Sequence, residues 1–168
     1  PGNLQDMKDY AKECRSKSTP YICDPGQSLT QWDKDSLIEW IGGSMMLITN
    51  DYELEMVMKM TGMSKKELLR LTKTIITTLG EKGSLISTGE SDIKIPPARV
   101  NAVVDPTGAG DAFRAGLLKG IAMGKDLETG AKMGAVAAVY AIEKYGTQEH
   151  HYTYGEFNER YRSNFGEM

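Results

Sequence analysis

The segment Val103-Val104-Asp105-Pro106-Thr107-Gly108-Ala109-Gly110-Asp111-Ala112-Phe113 holds the residues best suited to chemistry. Gly108 and Gly110 flank Ala109 where an apolar run gives way to a helix-like stretch, so no bulky side chain stands before the first helical amides. Those amides have no intrahelical acceptor, and the positive end of the helix dipole lies at the same spot, which makes such a bend a receptor for an anion. Asp111 comes next. A carboxylate there can take the proton of an alcohol while the amides stabilise charge on a phosphoryl group under attack. Two simpler roles compete: glycines that only tighten a turn, and an acidic residue that only complements the dipole, worth about 0.3–1 kcal/mol. A dinucleotide fingerprint needs a third glycine where Phe113 stands. A P-loop does not occur either, since Gly120-Ile121-Ala122-Met123-Gly124-Lys125-Asp126 has the wrong spacing and lacks a hydroxyl.

Four other places carry suggestive residues, each with a plain structural alternative. Asn50-Asp51-Tyr52-Glu53 puts a good N-cap three residues before an acid, which is a capping box. Thr78-Leu79-Gly80-Glu81-Lys82-Gly83 reads as a hairpin turn. The small residues of Gly130-Ala131-Lys132-Met133-Gly134-Ala135-Val136-Ala137-Ala138 suit either close helix packing or a flat ring laid against the backbone. His150 and His151 lack a third metal ligand nearby and read as a solvated turn.

The elements that must position these residues follow from periodicity. Apolar groups at helical spacing (Leu4, Met7, Tyr10, Ala11, Cys14) predict a helix over residues 4–17, and Pro20 separates it from a short strand over 21–23. A turn at 24–27, a helix over 34–41 and a buried strand over 45–49 come next. Helices over 51–60 and 64–73 precede β-branched runs at 75–79, 84–88 and 91–95. A further strand is expected over 100–104, then helices near 108–123, 126–143 and 154–162. Alternating strands and helices predict an α/β fold, Rossmann-like, with a mostly parallel sheet and helices on both faces. Ligands in such sheets collect beyond the carboxyl ends of strands, here Asp24, Asn50, Gly80 and Asp105.

Composition sets outer bounds. A chain of 168 residues with 40% hydrophobic content can bury one core, so a single domain over 1–168 is expected. Twenty basic residues against 23 acidic ones, a net charge of −3, give no footprint for nucleic acid or an anionic membrane. No apolar run approaches the roughly 18 residues of a membrane-spanning helix, and no signal peptide is legible. Cys14 and Cys23 have no metal-binding spacing and read as reduced thiols of a cytoplasmic protein. The chain opens with Pro1 in place of an initiator methionine, which suggests a fragment.

Asp105-Pro106-Thr107-Gly108-Ala109-Gly110-Asp111 resembles the D-[TP]-T-G-A-G-D signature of the ribokinase-like (PfkB) carbohydrate and nucleoside kinases, and the resemblance extends over essentially the whole chain. It implies an ATP-dependent phosphotransferase acting on an alcohol of a sugar or nucleoside. Asp111 would be the general base, with Gly108, Ala109 and Gly110 as the anion hole. Asn50 and Glu53 resemble the family's N-x-x-E motif and would hold Mg2+ and its waters. Thr78, Gly80 and Gly83 match its T-L-G-x-x-G turn and would approach ATP, while Lys132 and Ala135 lie on the helix that forms part of the adenine wall. Asp105 would help order a loop that binds a monovalent cation (K+) in several members; Pro106 replaces the commoner Thr and removes a hydroxyl and an N–H. Gly146-Thr147-Gln148-Glu149-His150 and Asp24-Pro25-Gly26-Gln27-Ser28 look most like bacterial and archaeal adenosine or nucleoside kinases.

Nothing in the chain corresponds to the family's N-terminal half and lid, which supply most acceptor contacts. A nucleotide-binding half that is inactive by itself is therefore a second expectation, with uncovered apolar surface to be met by a homodimer or by the missing half. A third is an NAD-dependent oxidoreductase, for which Glu128 falls near the right distance from the glycines but on a helix-like stretch.

Overall fold

The computed structural model describes residues 3–168. It divides into two compact units, Pro1–Leu79 with Leu85–Ile93, and Gly80–Ser84 with Lys94–Met168.

The first unit is built of α1 (Leu4–Ser16), β1 (Ile22–Cys23), a 3-10 turn (Gly26–Gln31), α2 (Lys34–Ile41), β2 (Met46–Asn50), α3 (Asp51–Thr61), α4 (Lys65–Leu71) and β3 (Ile75–Thr78). β2 is parallel to both β1 and β3, with Leu47 opposite Ile75 and Asn50 opposite Thr78. The strands are apolar on both faces because helices cover them, as parallel sheets require. Cys23, Leu37, Ile41, Leu47, Val57, Leu68 and Ile75 form the core, and Trp32 lies 4.7 Å from Trp40. Each such aliphatic side chain contributes roughly 1.5–3 kcal/mol by leaving water.

The full strand order is β1-β2-β3-β4-β5, where β4 spans Ser84–Ser87 and β5 spans Asp92–Ile95. The links into β4 and β5 are far shorter than the dozen or so residues a parallel crossover needs, and the sheet is mixed.

The second unit carries α5 (Ala109–Ala122), α6 (Leu127–Ile142) and α7 (Tyr154–Phe165). Glycines let α5 and α6 meet backbone to backbone: a Cβ on Gly116 would lie 2.6 Å from the Met133 carbonyl, and one on Gly134 would lie 2.7 Å from that of Phe113. Met133, Val136, Ala137 and Ala141 join Phe157 and Tyr161 of α7 in a second core. Arg160 of α7 clamps the linker before α5. Its Nη1 donates to Glu143 Oε2 at 2.8 Å and its Nη2 to the Arg99 carbonyl at 3.2 Å, while Glu143 Oε1 accepts the Asn101 amide at 2.8 Å. Arg160 also lies over the Tyr140 ring, 4.6 Å from its centre. The guanidinium is the main reason the Glu143 carboxyl sits below its usual range.

One expected element is overturned. Residues 100–104 form no strand, and Val103 and Val104 are 59% and 54% exposed. The amides of Val104 and Asp105 both donate to the Ile142 carbonyl, at 2.8 and 3.2 Å, so the end of α6 takes the place of a neighbouring strand. The β-branched side chains match a strand, but tertiary pairing decides. The tail helix runs on to Phe165, the 64–73 helix ends at Leu71, and the turn at 24–27 leads into a 3-10 segment. Among the described residues no helix is long and apolar enough to cross a membrane.

Candidate active site

Within the second unit, the glycine-lined bend is built from both sides. Asp105 Oδ1 accepts the Thr107 amide at 2.9 Å, and Oδ2 accepts the Gly146 amide at 2.9 Å. Bonds from the Thr107 hydroxyl and amide, then from Gly146, hold its carboxyl below the usual carboxylate range. Gly108, at φ 84°, turns the chain into α5 through the left-handed region that L side chains avoid. A Cβ there would stand 3.2 Å from the Thr147 side chain.

α5 starts without a side-chain cap. The Ala109 amide closes the turn onto the Pro106 carbonyl at 3.3 Å, while those of Gly108, Gly110 and Asp111 meet no acceptor among the described residues. Of the expected Gly108 to Gly110 set, the amides of Gly108 and Gly110 are thus open and that of Ala109 is engaged, with Asp111 adding a further open donor. Asp111 stands in the first turn with its side chain 82% exposed, so the bend is open to solvent. Arg114 Nη2 donates to Asp111 Oδ1 at 2.7 Å.

The other expected nucleotide residues of this unit differ in freedom. A Cβ on Gly80 would meet nothing within 4 Å, whereas one on Gly83 would collide with the Ile95 carbonyl and lie 2.8 Å from the Pro97 nitrogen. Gly83 is required by packing, and Gly80 is open to an approaching ligand. On α6, Gly130 and Gly134 are consumed by the contact with α5, so close packing accounts for the glycines. Lys132 and Ala135 remain partly exposed, with Lys132 Nζ held by Glu128 Oε1 at 2.7 Å; that bond raises the lysine pKa. Glu128 thus faces its own helix, not a strand end.

In the first unit, Asn50 and Thr78 are side by side at the ends of paired strands, and the Thr78 hydroxyl reaches the Thr49 carbonyl at 3.5 Å. Asn50 Oδ1 accepts the Glu53 amide at 2.7 Å, and Glu53 Oε2 accepts the Asn50 amide at 2.8 Å. The capping box is complete, and it leaves Glu53 Oε1 without a partner among the described residues. The residues named from sequence therefore gather in two groups: Asn50, Glu53 and Thr78 in one unit, Asp105 and Gly108 to Asp111 in the other.

Arg114 was not singled out from sequence, and Thr147 was named only as part of the Gly146 to His150 stretch, with no role at the bend. A basic residue three positions after Asp111 on a helix was a readable signal for the first. The contact of Thr147 with Gly108 joins residues far apart in the chain and had no local signal.

These features, an uncapped glycine start with an exposed carboxylate on an α/β frame, lie within residues 3–152, which match the model of the pfkB family of carbohydrate kinases. The chain belongs to that family. It is 37% identical over 137 residues to a nucleoside kinase of Methanocaldococcus jannaschii, covering 82% of this chain and 45% of the relative. The structure of Burkholderia thailandensis nucleoside kinase in complex with ADP-inosine superposes with a TM-score of 0.96 at 35% identity, over 99% of this chain and 52% of that one. Arabidopsis thaliana ribokinase complexed with ribose and ATP, at 23% identity and a TM-score of 0.78, shares the fold over 93% of this chain and 52% of its own. The chain thus spans about half the length of the relatives it matches.

Proposed function

We propose that this chain is the nucleotide-binding and catalytic part of an ATP-dependent kinase that phosphorylates an alcohol of a nucleoside, with a free sugar as the next candidate. The observation that carries the reading is the open start of α5: the amides of Gly108, Gly110 and Asp111, without acceptors among the described residues, beside an exposed Asp111 carboxylate. The similarity to nucleoside kinases favours a nucleoside acceptor.

In this reading the acceptor hydroxyl gives its proton to Asp111 as its oxygen bonds to the γ-phosphorus of ATP, and the bond from that phosphorus to the ADP oxygen breaks. The Gly110 and Asp111 amides and the helix dipole carry the charge on the transferring group. Phosphoryl transfer asks mainly for positioning and charge stabilisation, and fixed backbone donors provide both. Thr78 and Gly80 at a strand end, with Lys132 and Ala135 on α6, are assigned to the nucleotide; Gly83 serves it only by shaping the turn.

Mg2+ prefers hard oxygen ligands and retains several waters, and the free Glu53 Oε1 fits that demand while Asn50 fixes the carboxylate in place. When bound there, the ion would neutralise phosphate charge. A monovalent cation fits less well at Asp105, whose oxygens each already accept an amide and whose neighbour Pro106 offers no hydroxyl. We assign Asp105 to holding the bend in shape, with any K+ sharing the same oxygens.

A second reading concerns the isolated chain: it binds ATP without turning it over. Its span of about half the relatives' length supports this, as do exposed Val103, Val104 and Leu118, which a second copy or a further segment would cover. Calorimetry with ATP and magnesium on the chain, followed by turnover assays with nucleosides and ribose on both the chain and its full reading frame, tests both readings. Turnover by the full frame alone supports the second. No ATP binding by either removes the kinase reading.

A further inference from the structure

Arg114 lies in the second turn of α5, and helical side chains lean toward the N-terminus. Its guanidinium reaches back over the first turn. Nη2 donates to Asp111 Oδ1 at 2.7 Å, and Nη1 and Nη2 lie 3.2 and 3.4 Å from where a Cβ on Gly110 would stand. The Arg114 side chain is 29% exposed, against 82% for Asp111, so the arginine is laid along the bend while the carboxylate projects from it. A cation at this end of a helix works against the dipole, which favours negative charge there. Positive charge from two sources, backbone amides and guanidinium, therefore meets at the bend, and Asp111 is the counter-charge in contact with the arginine. A polyanion answers both sources, and the planar guanidinium fork matches phosphate oxygens better than any other side chain does.

We propose that Arg114 is a phosphate-contacting residue that exchanges the Asp111 carboxylate for the terminal phosphate of the nucleoside triphosphate. The inference rests on the phosphotransferase reading above. Arrival of the nucleotide then has two effects. The guanidinium is placed to offset charge on the transferring group, as arginines supplied from the same chain do in other phosphotransferases, and the carboxylate is released to accept the proton of the incoming alcohol. Only hydrogen bonds are exchanged in this step. A glycine at position 110 is part of the device, since a side chain there would press on the guanidinium.

The test compares ADP with a non-hydrolysable ATP analogue, each with magnesium, by calorimetry on the full reading frame as wild type, Arg114→Gln, Arg114→Lys and Asp111→Asn. Loss of a charge-assisted contact predicts that Arg114→Gln binds the analogue about tenfold or more weakly. ADP binding stays within about twofold, Arg114→Lys recovers part of the loss, and Asp111→Asn binds the analogue at least as tightly as wild type. In turnover, Arg114→Gln raises KM for ATP and leaves KM for the nucleoside unchanged. If glutamine unfolds the helix pair, the lysine variant carries the comparison, with weakened analogue binding and unchanged ADP binding as the supporting result. Equal losses for both nucleotides, or no loss for either, overturn the proposal while leaving the kinase reading intact. A wild type that binds neither nucleotide overturns both.

Discussion

The starts of α3 and α5 solve the same problem in opposite ways. α3 begins at Asn50, whose side chain accepts the Glu53 amide while Glu53 returns the favour, so the orphan donors of the first turn are met from within. α5 begins at Gly108 with no side-chain cap. The remaining described α-helices all follow α3, with caps from Asn3, Asp33, Ser64, Asp126 and Thr153. A cap is worth about 1 kcal/mol, so leaving one helix without it is a cost that stability alone does not explain. The difference is local: the third helical amide, capped in every other described α-helix, meets no acceptor among the described residues at Asp111, and in the reading proposed above a phosphate would meet it.

The largest expected effect lies at the open end. Asp111→Asn keeps the size of the side chain and removes the base, so kcat in the full reading frame falls by about a hundredfold or more while ATP binding persists. Steady-state kinetics with calorimetry checks this, and near-normal turnover would take Asp111 out of its assigned role. Next comes Gly108→Ala. It forces a Cβ into the left-handed region and against Thr147, and costs roughly 1–2 kcal/mol of stability in urea unfolding. ATP affinity should fall with it, because the bend that aims the amides is disturbed; unchanged affinity would separate the bend from the nucleotide.

Much of this contrast was legible in the sequence, for reasons that differ between residues. Asn50 and Glu53 announce a capping box by local spacing, and the hydrogen bonds appear as the spacing predicts. Gly108 and Gly110 before Asp111 announce an unobstructed helix start in the same local way. The strand expected over 100–104 failed because β-branched residues record only a preference, whereas the Ile142 carbonyl that captures the Val104 and Asp105 amides comes from the far end of α6. Likewise the small residues around Gly130 and Gly134 are compatible with a ligand wall or a tight helix crossing, and only the meeting of α5 with α6 assigns these two glycines to the crossing. The Arg114 contact with Asp111 was local and readable by the i, i+3 rule, but the chemistry of the bend drew attention to the carboxylate alone.

At the closed end a smaller effect is expected. Asn50→Ala removes the acceptor for the Glu53 amide and costs about 1 kcal/mol in thermal or urea unfolding. The same substitution frees the Glu53 carboxylate to wander, so the magnesium concentration for half-maximal turnover rises if this pair serves the metal. A loss of stability with an unchanged magnesium requirement would make α3 a capped helix and nothing more, which sharpens the contrast with α5.

The smallest effect is a pH dependence at the bend itself. Asp105 is held below its ordinary carboxylate range by the Thr107 hydroxyl and amide and by the Gly146 amide. Because the folded value lies below the unfolded one, the group adds stability above the unfolded pKa, and that contribution is lost as pH falls through the folded value. The wild-type melting midpoint should therefore decline as the pH is lowered from about 5 toward 3, with neighbouring carboxylates adding to the slope. Asp105→Asn removes the titrating group but keeps an oxygen for one amide, so its decline over the same window should be shallower and its midpoint at neutral pH lower. An identical slope in the two proteins would show that the clamp between the bend and Gly146 contributes nothing to folding, and the shape of the α5 start would then have to be set by Gly108 and Thr147 alone.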